Sequence, residues 1–154
     1  GEPNDTAWLA PWFGSLYPGE QIYVQGFATD DGSDPQDGLA FTCVGASRID
    51  FTLFVDDPWT DLDVWLFDPA LDQFVAAFDF PYGDEKGSFW LAGTQEFQLV
   101  VVPADGASGW TLSVESSTTH FSAAAAENAL PELPLNLRGY SRTHGEAHAL
   151  DARL

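Results

Sequence analysis

Carboxylates are the abundant chemistry of this 154-residue chain, with 24 Asp and Glu against five Lys and Arg and a formal net charge of −19. They crowd between Asp30 and Gly38, where Asp30, Asp31, Asp34 and Asp37 sit among two Gly and a Pro, the composition of a loop with oxygens to offer a hard cation. That loop is no EF-hand. Counting from Asp30 puts Gly32 third and Phe41 twelfth, where the motif needs an oxygen ligand and a bidentate Glu. His144-Gly145-Glu146-Ala147-His148 sets two imidazoles four apart, but the Glu is misplaced for the His-Glu-x-x-His order, and no Pro-Cys-x-x-Cys accompanies it. Gly145 also weakens the helix that would align the rings, so a polar tail is the simpler reading. Ser47 and Ser108 lack a Gly-x-Ser-x-Gly elbow, and no His lies before His120 to serve them as base. Nothing singles out one carboxylate pair for hydrolysis. The residues therefore argue for no enzyme.

The charge makes nucleic acid and anionic membranes poor partners and a divalent cation a better one, with a solvated, self-repelling surface as the alternative. Cys43 is single and lies in an apolar run, which makes it a small buried hydrophobe with no intrachain disulfide. No apolar run reaches 18 residues, so no membrane-spanning helix is expected. With Gly1 first and no Met, the sequence is expected to be a processed form, and its excess of Asp over Lys suits an exported protein.

The elements that would position these carboxylates are strands. In Asp61-Leu62-Asp63-Val64-Trp65-Leu66-Phe67-Asp68 the apolar Leu62, Val64 and Leu66 recur at period two, a strand with one buried face. Asp63, Trp65 and Phe67 then share the other face and call for a second layer or a partner. Similar segments are expected at Glu20–Phe27, 39–44, 48–55, 73–79, 87–92, 95–102 and 109–114, separated by Gly, Pro and Asp clusters. Such spacing is that of an all-β, antiparallel, jelly-roll-like β-sandwich. Residues 8–18, rich in aromatics but cut by Pro11 and Pro18, read as an irregular lead-in. Trp8, Trp12, Trp59 and Tyr82 fall in loop-like contexts and could form a glycan- or protein-binding patch, or plug the ends of the sandwich.

After residue 115 the character changes. Residues 1–115 form the expected sandwich domain, with two bases only, Arg48 and Lys86, whereas the C-terminal extension 116–154 holds Arg138, Arg142, Arg153 and every His. In the extension Leu133, Leu135 and Leu137 alternate like a strand, and Ala147, Leu150 and Leu154 suggest a last helical turn. A strand appended to a finished sandwich needs an edge, and a neighbouring copy can supply one. Leu133, Leu135, Leu137, Arg138, Arg142 and Arg153 are therefore the candidate assembly residues.

Three segments resemble the bacterial pre-peptidase C-terminal domain family and its relative, the collagen-binding domain of clostridial collagenases. Glu2-Pro3-Asn4-Asp5-Thr6 is similar to the family's opening Glu-x-Asn-Asp-Thr, and Asp61–Asp68 to its Asp-x-Asp strand. Gly93–Val101 with Trp110-Thr111-Leu112 is similar to its closing strands. The resemblance covers about residues 2–115 and implies a secreted, non-catalytic sandwich used for substrate or surface binding. It also implies Ca2+ held between Glu2, Asn4 and Asp5 and the loop's Asp34 and Asp37, to which the flanking Asp30 could add an oxygen. Phe41 is displaced from the family's usual aromatic position. Two functions follow as expectations for an extracellular or cell-surface protein: a self-assembling filament subunit joined through its tail, or a module adhering to glycan or fibrous protein.

Overall fold

A computed structural model describes residues 10–118 and the backbone of residues 147–148. Period-two apolar segments separated by turn residues fold into two facing sheets. The first holds β1 (Trp12–Leu16), β3 (Asp37–Cys43), β8 (Gln95–Asp105), β5 (Asp61–Asp68), β6 (Gln73–Phe78) and β10 (Ala147–His148), side by side in that order. The second holds β2 (Gln21–Thr29), β9 (Ala107–Thr118), β4 (Ser47–Val55) and β7 (Glu85–Leu91). This is the expected all-β sandwich.

Leu62, Val64 and Leu66 point between the sheets, where they meet Ile49, Phe51, Phe89, Phe97 and Leu112 in one continuous core. A one-residue slip of β5 would exchange them for Asp61, Asp63 and Trp65, so burial fixes its register at roughly 1.5–3 kcal/mol per aliphatic side chain. The other face of β5 is not bare either. Phe67 and Val100 are buried there, with Trp65, Phe74 and Val102 packed around them as a second, smaller cluster. Trp65 and Phe67 each meet Phe74 edge to face, at 5.3 and 5.1 Å between ring centroids.

Three readings of the sequence are corrected. The aromatic lead-in contains a strand: β1 pairs with β3 in parallel, Trp12 opposite Ala40 and Leu16 opposite Cys43, with an irregularity at Gly14 (φ 139°) that only glycine tolerates easily. Interleaved Pro and Gly hid its alternation. The last helical turn is instead a strand at its first position, since Ala147 and His148 pair antiparallel with Phe78 and Ala77 of β6. Strand β9 continues to Thr118, opposite Ser47, beyond the boundary read at 115. The Leu133, Leu135, Leu137 segment and Arg138, Arg142 and Arg153 lie outside the described residues.

Candidate functional site

The sandwich has chemically unequal ends. Connections β2–β3, β4–β5 and β6–β7 emerge at one end and carry Asp30, Asp31, Asp34, Asp56, Asp57, Asp79 and Asp84, whereas those at the opposite end carry Glu20 and Asp72 alone. At the acidic end the carboxylates first serve the backbone. Asp30 Oδ2 accepts the Gly106 N–H at 2.8 Å, Asp84 Oδ1 the Val55 N–H at 2.9 Å, and Asp61 Oδ1 the Tyr82 N–H at 3.2 Å, each tying a connection to a segment distant in sequence. Asp31 accepts both the N–H and the hydroxyl of Ser33, which hold its carboxyl below the usual range.

Of the residues expected to hold calcium, Asp30, Asp34 and Asp37 lie on or beside the single connection between β2 and β3. Asp37, at the start of β3, is buried, and its Oδ2 accepts the Trp110 indole N–H at 3.1 Å. Part of the expected ligand set is thus engaged in holding the fold. Among the described residues no three His, Cys, Asp or Glu side chains are gathered around one point that a metal could occupy. Glu2, Asn4 and Asp5, the rest of the set, lie outside the described residues.

The expected aromatic patch divides. Trp59, 82% exposed, and Tyr82, 53% exposed, stand on adjacent connections, linked where the Gly83 N–H donates to the Thr60 carbonyl. Tyr82 holds a left-handed backbone (φ 59°) and turns its hydroxyl toward Asp105. Trp12 is far from both. It lies on the edge strand β1, with β3 and β8 between it and β5, and donates to the Thr42 hydroxyl at 3.0 Å. Trp8 lies outside the described residues.

A second acidic group, where β5, β6 and β7 meet, escaped the sequence reading. Continuing the Val64–Phe78 register places Asp63 opposite Asp79, on the outer face of the first sheet. Asp61 precedes on the same strand. Glu85 opens β7 in step with Gly87, Phe89 and Leu91, so it points inward at the rim of the core. It is fully buried, and neither of its carboxylate oxygens has a hydrogen-bond partner. Burial, reinforced by Asp63 and more weakly by Asp61 and Asp79, pushes Glu85 up to about 9, and the nearby Phe80 backbone N–H, short of hydrogen-bonding geometry, only partly offsets this. Asp63 rises to about 7 for the same reason, with Asp61 and Asp79 adding repulsion. The signal was available, because a Glu in alternation with Gly87, Phe89 and Leu91 is a carboxyl on a core face.

Among the described residues the geometry shows a scaffold with one acidic end, a buried carboxylate corner and no nucleophile–base pair. No family model matches the chain. Among solved structures it is similar to the pre-peptidase C-terminal domain of a Bacillus anthracis collagenase, at TM-score 0.54 and 18% identity, over 69% of this chain and 96% of that one. The fold is that of a pre-peptidase C-terminal domain. Looser likenesses are to PliG, a periplasmic inhibitor of g-type lysozyme. The Salmonella Typhimurium protein aligns at TM-score 0.43 and 13% identity, over 69% of this chain and 97% of that one. The Aeromonas hydrophila protein aligns at 0.40 and 13%, over 70% and 100%. The resemblance read from Asp61–Asp68 and the closing strands is thus borne out in the fold. Among the described residues no helix is long and apolar enough to cross a membrane.

Proposed function

We propose that this protein is a non-catalytic extracellular subunit that assembles into filaments, each copy giving the strand at the end of its tail to a sheet edge of its neighbour. The observation that carries this reading is the pairing of Ala147 and His148 with β6. Strand β6 has β5 on one side only, so its other edge presents backbone donors and acceptors that a strand from the tail satisfies. An edge that accepts this strand from its own chain accepts the same strand from another copy, and a two-residue ladder is short enough to exchange. Giving one surface and receiving on another makes a head-to-tail contact, which propagates unless its rotation closes a ring. In this reading Ca2+ joins Glu2, Asn4 and Asp5 to the Asp30, Asp34, Asp37 connection and stiffens the acidic end.

Removing residues 119–154, which spares β9 to its last residue, tests the reading by light scattering and electron microscopy. Full-length protein is expected as large assemblies, and the shortened chain as a folded monomer. A full-length protein that is monomeric at all concentrations overturns the reading. The second reading, adhesion to glycan or fibrous protein, is favoured by the exposure of Trp59, 82% of whose surface is open. Retention of a monomer on a glycan or collagen matrix, lost in Trp59→Ala, would support it.

A further inference from the structure

We propose that the open edge of β2 pairs antiparallel with β2 of a second copy, joining two bodies into a dimer through one continuous sheet. The proposal does not use the tail and goes beyond the filament reading.

The first observation is that β2 lacks what usually shields an edge. Sheet edges avoid one another by charge, proline, irregularity or shortness. Strand β7 carries the exposed Lys86, β1 is five residues long and irregular at Gly14, and β6 has β10 beside it. Strand β2 is nine residues long, and from Gln21 to Thr29 it holds neither a charge nor a proline, in a chain of net charge −19. Among the described residues β9 is the one strand paired with it. An uncharged strand is the contact at which two such acidic bodies repel least.

The second observation is where the backbone groups of β2 point. The Ser116 N–H donates to the Glu20 carbonyl and the Asp30 N–H to the Gly106 carbonyl, both at 3.0 Å, and these pairs continue the β2–β9 register. The even-numbered positions of β2 are therefore the ones bonded to β9, and the odd-numbered ones turn their N–H and C=O to the open side. Thr29 agrees, because it bridges Asp34 there. That bridge closes the edge at Thr29 and leaves Gln21, Tyr23, Gln25 and Phe27 to a partner.

The third observation is that this edge complements itself. An antiparallel pair centred on Gln25 sets Gln25 against Gln25 of the second copy and Tyr23 against its Phe27, each pair in bonding register and on the outer face. Tyr23 is 63% exposed and Phe27 54%, so each ring has surface to give. Four such rings with the paired backbone bury roughly 1,000 Å² in total, the lower end for a specific contact, which makes the dimer a weak one. Each copy spends its one edge, so this pairing stops at two.

The test uses the full chain, read by sedimentation over a dilution series and by a cross-link. Opposed Cα atoms in a bonded antiparallel pair stand about 5.5 Å apart, within disulfide reach, and the native Cys43 is buried. On oxidation Gln25→Cys is expected to give a covalent dimer on a denaturing gel, and Gln21→Cys none. Gln25→Pro removes a donor that β9 does not use, so it should keep the wild-type circular dichroism and weaken dimerisation by at least about tenfold. Tyr23→Lys, which leaves the backbone intact, should weaken it similarly. Rising salt should strengthen the wild-type dimer by screening the two acidic bodies. A wild type still monomeric at about 1 mM, a Gln25→Cys chain that does not cross-link, or a Tyr23→Lys chain that dimerises as wild type does overturns the proposal. Filaments from a Gln25→Cys chain that does not cross-link would sink the dimer and leave the filament reading standing; cross-linked dimers without filaments would do the reverse.

Discussion

Replacing Glu85 by Gln isolates the energetic cost of the corner. The ordinary carboxyl value of 4.5 rises to about 9 in the folded chain. Between those values the folded state holds a proton that the unfolded state has released, so stability falls as pH rises through the window, the reverse of the usual salt-bridged carboxylate. At pH 7 about 2.5 pH units of that window have been crossed, which sets a ceiling of roughly 3 kcal/mol on the loss. Gln keeps the shape and has no proton to lose. The variant and wild type should therefore melt together near pH 4.5 and diverge above it, the variant gaining roughly 4 °C or more per kcal/mol in a body of this size. Thermal melts at pH 4.5, 7 and 8.5 decide the matter. Parallel pH dependences for Glu85→Gln and wild type would refute the argument that burial and neighbouring acids dominate this site.

Calcium at millimolar concentration should raise the melting temperature relative to chelator, by about 2.7 kcal/mol at 100 times its dissociation constant, and Asp34→Asn with Asp37→Asn should abolish the response. Equal melting temperatures with and without calcium would dismiss the ion. Trp110→Phe removes the indole donor to the buried Asp37; a loss of about 1.5–3 kcal/mol in urea denaturation, the worth of a hydrogen bond to a charged group, is expected, and a loss below 1 kcal/mol would show the bond to be incidental. Gly26→Ala drives a methyl group into the Trp110 ring, where overpacking costs about 1–3 kcal/mol. Wild-type stability for that variant would mean the ring moves freely.

The sandwich was legible because its code is short-range. Leu62, Val64 and Leu66 name a face by period alone, and every segment from Gln21 to Thr118 that alternates in this way became a strand. What escaped was set by partners distant in sequence. Strand β1 is a strand because β3 lies beside it in parallel, and its own residues, broken by Gly14 and framed by prolines, do not announce it. The corner was missed because Asp63, Asp79 and Glu85 belong to three segments whose meeting depends on the crossing from the first sheet to the second. The loop at Asp30–Asp37 was conspicuous for composition, yet Asp30 and Asp37 proved tied to Gly106 and Trp110, contacts across 76 and 73 residues. Charge density was easy to read in the chain, and its use was not.

A strand that can reach its own edge makes assembly a matter of competition. The 28 residues between Thr118 and Ala147 can span at most roughly 95 Å, and Ala147 pairs with β6 of its own body, so the tail can return to it. A tether of that kind presents its strand at an effective concentration on the order of millimolar. A neighbour at micromolar concentration starts about a thousandfold behind, or roughly 4 kcal/mol, and the β6 pairing cannot close the gap because it is the same in either arrangement. Filaments at micromolar protein therefore require a contact between bodies that the monomer lacks. Trp59 is the leading candidate, because it is 82% exposed and stands on the connection beside Tyr82 at the end where the tail arrives. A large, rigid ring closing against another body can contribute 2 kcal/mol or more. Trp59→Ala should leave the fold and the β6 amide protection intact while raising the concentration for assembly by at least about tenfold, so that monomers with the tail on their own edge replace filaments. Sedimentation of the two proteins over a dilution series measures this directly, and an unchanged assembly concentration would rule out Trp59 as the contact that tips the balance.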